Sequence, residues 1–169
     1  MQDFQPKYEL IWDYFKEICS IPRPSGKEEK IREYLLDFAS KEGFASKVDK
    51  AGNVLITRAG NAPAIALQAH MDMVCEKNNN VEHDFLTEGI KTYIKDGWML
   101  AEGTTLGADN GIGMAMIMAA MKSYTGDKTI EGIFTVEEET GLSDEDIYSA
   151  VFPADKVRSG GRKADQGRR

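Results

Sequence analysis

Apolar residues fall into blocks of two different periods along the chain, and the blocks alternate. Ile11, Tyr14, Phe15 and Ile18 recur at helical spacing, which predicts an amphipathic helix over Tyr8–Cys19. Pro22 and Pro24 stop it. Ser25 followed by Glu28 is a capping-box pattern, predicting a second helix that buries Ile31, Leu35 and Phe38, with Gly43 as its left-handed end. The period then changes. Gly52-Asn53 is a turn signal, Val54-Leu55-Ile56-Thr57 is rich in strand formers, and after a turn over Gly60–Pro63 the residues Ile65, Leu67 and Ala69 alternate straight into His70. Gly, Asp and Asn punctuate Lys77–Asp96, predicting loops and a short hairpin. Asn110–Tyr124 is apolar nearly all round (Ile112, Met114, Met116, Ile117, Met118, Met121), which predicts a buried helix. Ile130–Val136 predicts a strand that ends at three successive glutamates, and Ser143–Phe152 a last short helix.

Alternating helices and strands predict an α/β sandwich around a mixed, mostly parallel sheet flanked by helices. A net charge of −7 over 169 residues argues against general binding to nucleic acid or anionic membranes. The charge is uneven. Asp155–Arg169 holds six basic and two acidic residues, a local +4, which leaves −11 for the rest. Past Lys156 only Val157 and Ala164 are apolar, so disorder is expected from about residue 156. That segment holds no aromatic residue on which bases could stack, so it is read as a solvated tail rather than a nucleic-acid arm. Cys19 and Cys75 are too few for a disulfide framework, Met1–Lys16 has no secretory signal, and the apolar run Gly111–Met121 is shorter than the roughly 20 residues a bilayer needs. The expectation is a soluble cytoplasmic protein.

Three polar clusters stand at or just after predicted strand ends: His70-Met71-Asp72, Gly107-Ala108-Asp109-Asn110-Gly111 and Glu137-Glu138-Glu139-Thr140-Gly141. Ligands and catalytic groups gather at the carboxyl ends of strands in open α/β sheets. An imidazole with several carboxylates is a donor set for zinc or a similar divalent ion. Asp72 is spaced to hold the His70 ring through its second nitrogen. Two neighbouring glutamates can divide the work, one binding metal and the other taking a proton from water. Strand alternation alone does not fix which two of the three glutamates these are. Taken singly, each cluster also has a plain structural reading: a polar pair, a capped turn, a solvated acidic edge.

Several longer segments resemble a known family, the dinuclear zinc metallopeptidases that include the aminoacyl-histidine dipeptidases. The resemblance rests on Ile21-Pro22-Arg23-Pro24-Ser25-Gly26, on Leu67 to Val74, on Gly103 to Gly113 and on Phe134 to Leu142. It implies a zinc-exopeptidase-like sandwich, incomplete over this length, with residues 1–142 as the N-terminal part of a catalytic domain and 143–169 as a divergent tail. It implies that His70 binds one metal and Asp72 orients it, and that Asp109 bridges two metals and precedes a cis peptide. Glu138 would be the general base and Glu139 a ligand of the second metal, because the glutamate pair stands just before Thr140-Gly141. The implied cofactors are two divalent ions, zinc first with cobalt or manganese as alternatives. The implied substrate is a small dipeptide, Xaa-His or another, and a homodimer is left open.

Two zincs need about eight ligand bonds, and these residues with a shared water supply about six. Asp155, Asp165 and His83 do not stand in a ligand context, and His83 is read as a surface residue. The expectation is therefore a truncated, weakly active or inactive form, or a non-catalytic metal-binding or structural fragment of the same fold. A phosphate-binding turn at Gly107–Gly113 is disfavoured, because it lacks the Gly-Lys-Ser/Thr ending and Asp109 would repel a phosphate. Cys75 is read as a small buried hydrophobe, the five methionines from Met99 to Met121 as core filler, and Trp98 as packing the hairpin onto the core.

Overall fold

The structure, a computed structural model, describes residues 8–141. The helix expected over 143–152 and the tail from about 156 lie outside the described residues. Helix α1 (Glu9–Cys19) turns Tyr14, Phe15, Ile18 and Cys19 inward, and α2 (Glu29–Glu42) buries Ile31, Leu35, Phe38 and Ala39. Gly43, at φ 72°, closes α2 in the left-handed conformation that glycine enters without steric cost. The capping box does not form. The first residue of α2 is Glu29, the Ser25 hydroxyl donates elsewhere, and Glu28 accepts from the backbone N–H of Gly26 at 2.9 Å.

Strand β1 (Ala45–Val48) had no sequence signal, because all four of its residues are exposed and no apolar alternation marks them. It pairs antiparallel with β2 (Val54–Arg58) through a turn organised by Asp49, whose carboxylate accepts the N–H groups of Ala51, Gly52 and Asn53 at 2.9 Å each. After β3 (Ala62–His70), the hairpin strands β4 (Thr92–Lys95) and β5 (Trp98–Ala101) meet across Asp96-Gly97, both at positive φ, the turn favoured by a right-handed strand twist. Helix α3 (Ala108–Ser123) and strand β6 (Lys128–Thr135) complete the frame.

The main sheet is mixed, in the order β1-β2-β6-β3, with β6 antiparallel to β2 and parallel to β3. Its register sets Val54 and Ala69 on either side of Phe134 and places His70 beside Thr135. The polar residues that follow β3 and β6 therefore emerge at the same end of the sheet. Pro63 is tolerated because β3 is the outer strand among those described, irregular between Ala62 and Ile65. Only the C-terminal end of β3, Ala69 and His70, is buried; Ile65 is exposed. Helix α3 packs on β6 at Gly132, where a side chain would strike Ile117 and Met121. Helix α1 lies against α3 at Gly111, and α2 reaches both through a Tyr14–Phe38 edge-to-face contact and a Lys122–Glu42 ion pair.

Three expectations about individual side chains fail. Trp98 does not pack the hairpin onto the core; it is 74% exposed, while Met99 and Ala101 on the other face of the hairpin touch the core. Met116 is not core filler, at 53% exposed, although Met114, Met118 and Met121 are fully buried. His83 is buried rather than on the surface, edge-on to Phe85 at 4.5 Å.

The packing predicts unequal costs at two aromatic positions. Phe134→Ala, which empties a fully buried position near the C-terminal end of β6, should cost about 3–5 kcal/mol in urea denaturation. Trp98→Ala, at the exposed end of the hairpin, should cost less than about 0.5 kcal/mol.

Candidate metal centre

Strand β3 delivers His70 at its last residue, and the ladder runs one step further as Met71 N–H donates to Thr135 O at 2.7 Å. The chain then turns so that Asp72 reaches back. His70 Nδ1 lies 3.2 Å from both the carbonyl and the Oδ1 of Asp72, which leaves Nε2 facing away from the sheet. Nε2 meets Asp109 Oδ1 at 3.0 Å and lies 3.8 Å from Glu138 Oε2.

Asp109 comes from the start of α3. Gly107 enters that turn at φ 69°, and Asp109 and Asn110 keep non-helical dihedrals with a cis peptide between them, as the resemblance implies. The Asp109 carboxylate is 83% exposed on the open side of the cluster. Glu138 and Glu139 come from the short helical turn Glu138–Thr140 after β6. Glu137 stands before that turn at φ 54°; its N–H donates to Glu28 Oε1 at 3.1 Å, and its own carboxylate lies against Gly26.

The Asp72 carboxylate is the centre of this arrangement. Its Oδ1 accepts from His70 Nδ1 and from the Glu138 N–H at 3.1 Å; its Oδ2 accepts from the Ser25 hydroxyl at 2.7 Å and the Glu139 N–H at 3.1 Å. The residue is wholly buried. Burial alone would raise its pKa, but the bonds from His70, Ser25 and the two amides outweigh it and hold the carboxyl at about 2. The same bonds act on His70. Burial pushes the imidazole down, yet hydrogen bonds to Asp72 and Asp109 and the charges of Asp72 and Glu138 lift it to about 9. Glu139 is raised, first by desolvation and then by its acidic neighbours, with His70 opposing.

His70, Asp72, Asp109, Glu138 and Glu139 thus come together, and ligand atoms of His70, Glu138 and Glu139 lie within 4.8 Å of one another. One imidazole nitrogen with several carboxylate oxygens, the other ring nitrogen held by a carboxylate, fits a divalent cation. In the protonated form the imidazolium proton does the cation's work, tying Nε2 to Asp109. Neither His83 nor Cys75 belongs to this group among the described residues; the Cys75 thiol is half-buried near the Met73 carbonyl. Arg23, Ser25 and Glu28 were not singled out in the sequence as parts of the site. The capping-box pattern and the Ile21–Gly26 segment include them, but the partners that tie them to the site lie 47 to 109 positions along the chain.

The profile of the peptidase family M20/M25/M40 matches residues 66–160. The chain is 45% identical over 138 residues to the cytosol non-specific dipeptidase of Escherichia coli, covering 78% of this chain and 28% of that protein. The solved aminoacylhistidine dipeptidase from Vibrio alginolyticus superposes with a TM-score of 0.76 at 39% identity, over 84% of this chain and 31% of that one. Aminopeptidase PepT from Bacillus cereus gives a TM-score of 0.68 at 25% identity, over 85% and 42%. The chain therefore spans about a third or less of the length of the dipeptidases it matches.

His70 and Asp72 set a pH window for the metal-free chain. His70 is raised from 6.5 to about 9, so its contribution is complete below 6.5 and is lost as pH rises through about 9. Asp72 is lowered from 3.8 to about 2, so its contribution holds above 3.8 and is lost as pH falls through about 2. In chelator, the melting temperature should fall by a few degrees between pH 6.5 and 9, and His70→Gln should remove that fall.

Proposed function

Because the chain belongs to the peptidase family M20/M25/M40, we propose that its described residues form part of the dinuclear metal centre of a cytoplasmic dipeptidase, one that hydrolyses Xaa-His and other dipeptides. The observation that carries this reading is the convergence of His70, Asp109, Glu138 and Glu139 around the buried Asp72 carboxylate. In this reading residues 1–142 are the N-terminal part of a catalytic domain, and 143–169 are a divergent tail whose sequence is basic from about residue 156. No described helix is long and apolar enough to cross a membrane.

His70 Nε2 would hold one divalent ion, Glu139 the other, and the Asp109 carboxylate would bridge them. Zinc suits this nitrogen and oxygen donor set, with cobalt or manganese as alternatives. Bound ions of this kind polarise a carbonyl and bring the pKa of water toward neutrality. Glu138, half-exposed and 3.8 Å from His70 Nε2, would accept a proton from the attacking water and return it to the leaving amine. Asp72 orients His70 and, by holding the N–H groups of both glutamates, fixes where the base stands relative to the ligand. Binding an ion requires His70 to release the proton it shares with Asp109, so uptake should strengthen as pH rises.

The donor count limits what these residues do alone. One bond from His70, two from Asp109, one from Glu139 and two from a shared water make about six, against about eight for two four-coordinate ions. One ligand per ion would have to come from outside the described residues. The 169-residue chain is accordingly expected to take up zinc or cobalt weakly and to hydrolyse Ala-His or β-Ala-His little above background. The alternative is a non-catalytic fragment with the same fold.

Metal stoichiometry of the purified chain, measured with its hydrolytic rate, separates these readings. Uptake should drop in His70→Ala, Asp109→Ala and Glu139→Ala. Uptake indifferent to all three would favour a purely structural role, and efficient hydrolysis by this chain would overturn the partial-site reading.

A further inference from the structure

The segment between α1 and α2 touches all three motifs from behind. Arg23 is 1% exposed, and its guanidinium binds only carbonyls among the described residues. Nη1 donates to Met71 O at 2.9 Å and to Asp72 O at 2.8 Å, while Nη2 donates to Gly107 O. The first two carbonyls belong to the turn that carries Asp72. The third belongs to the turn that carries Asp109. Met73 N–H donates back to the Arg23 carbonyl at 3.2 Å, and Pro24 bridges to Met73 as a single parallel rung. Ser25 then binds Asp72, and Glu28 binds the Glu137 N–H.

Gly107 and Gly111 complete the fit. A side chain at either position would come within 2.5 or 2.8 Å of Arg23 Nη2, so the guanidinium fills the space between the start of α3 and the first motif. This is an expensive way to fill it. A cation is buried with no carboxylate bonded to it, and its Nε has no partner among the described residues. An apolar side chain of similar length would pack there without that desolvation, but it would leave the spacing of the two turns unset.

We propose that Arg23 is a positioning residue: its fork fixes the distance between the His70-Asp72 turn and the Asp109 turn, and so sets the geometry in which the centre receives a divalent ion. This rests on the metal-site reading above. A competing effect has the opposite sign. A buried positive charge behind the cluster repels an incoming cation, so removing it would favour uptake if charge outweighed geometry. Lysine keeps the charge and loses the fork; methionine loses both.

The test is a cobalt titration of the full 169-residue chain, followed by the visible absorption of the bound ion, with thermal melts of each metal-free variant. Arg23→Lys and Arg23→Met should both weaken cobalt binding, by about 10–100-fold, as is usual for groups that hold metal ligands in place, and both should change the absorption spectrum. Ser25→Ala should shift in the same direction. Ile56→Val, a core change remote from the cluster, lowers stability and should leave affinity and spectrum unaltered. Tighter binding by Arg23→Met, or wild-type affinity and spectrum in Arg23→Lys, would overturn the proposal. If Arg23→Met does not fold, Arg23→Lys and Ser25→Ala decide by the same criteria. No cobalt uptake by the wild-type chain would instead sink the metal-site reading, and this inference with it.

Discussion

A buried carboxylate must find donors for its charge, and Asp72 finds one two residues away, in His70, and three in segments 47 to 67 residues distant in sequence. Its two oxygens take one bond each from an imidazole, a hydroxyl and two backbone amides, drawn from the end of β3, the loop before α2 and the turn after β6. Leaving such a group unpaired in the interior would cost several kcal/mol, so the three segments have little freedom to separate. The same bonds that satisfy Asp72 aim His70 Nε2 outward and set Glu138 and Glu139 opposite it. Site geometry and burial are thus one constraint.

The sheet makes that constraint reachable. Parallel pairing of β3 with β6, in the register that sets His70 beside Thr135, brings two chain segments out at one end within a few residues of each other. Asp109 arrives by a different route. Helix α3 lies on Gly132, where the absence of a side chain lets Ile117 and Met121 come close, and its first turn is carried to the same end of the sheet. The Arg23 fork then ties the Gly107 carbonyl to the Met71 and Asp72 carbonyls. The His70 ring stands between the Asp72 and Asp109 carboxylates, and the N–H groups of Glu138 and Glu139 tie their turn to Asp72.

Much of the frame was legible in the sequence because burial writes a period into it. The stripes over α1 and α2, the apolar α3 and the strand-forming runs of β2 and β6 were all visible, and the family resemblance supplied the motif residues that periodicity leaves ambiguous. What was not legible fails for identifiable reasons. β1 buries nothing, so it carries no alternation. Trp98 and Met116 look like core residues by type, yet the hairpin turns Trp98 outward and α3 turns Met116 away from the sheet. Ser25 and Glu28 match a capping box, but tertiary partners 47 and 109 residues away claim their side chains. Arg23 sits between two prolines with nothing nearby to suggest that it is buried. Its partners too are distant, up to 84 residues along the chain.

The most direct test of the whole account is a nuclear magnetic resonance comparison of the metal-free chain with Asp72→Asn. An asparagine of the same shape keeps one acceptor and loses the charge. The account predicts that amide exchange at Glu138 and Glu139 speeds up by about 10–100-fold, in line with the loss of a charge-assisted hydrogen bond. It also predicts that the His70 pKa drops from about 9 toward its ordinary value. Unchanged exchange at both glutamates, with His70 titrating as in the wild-type chain, would contradict it.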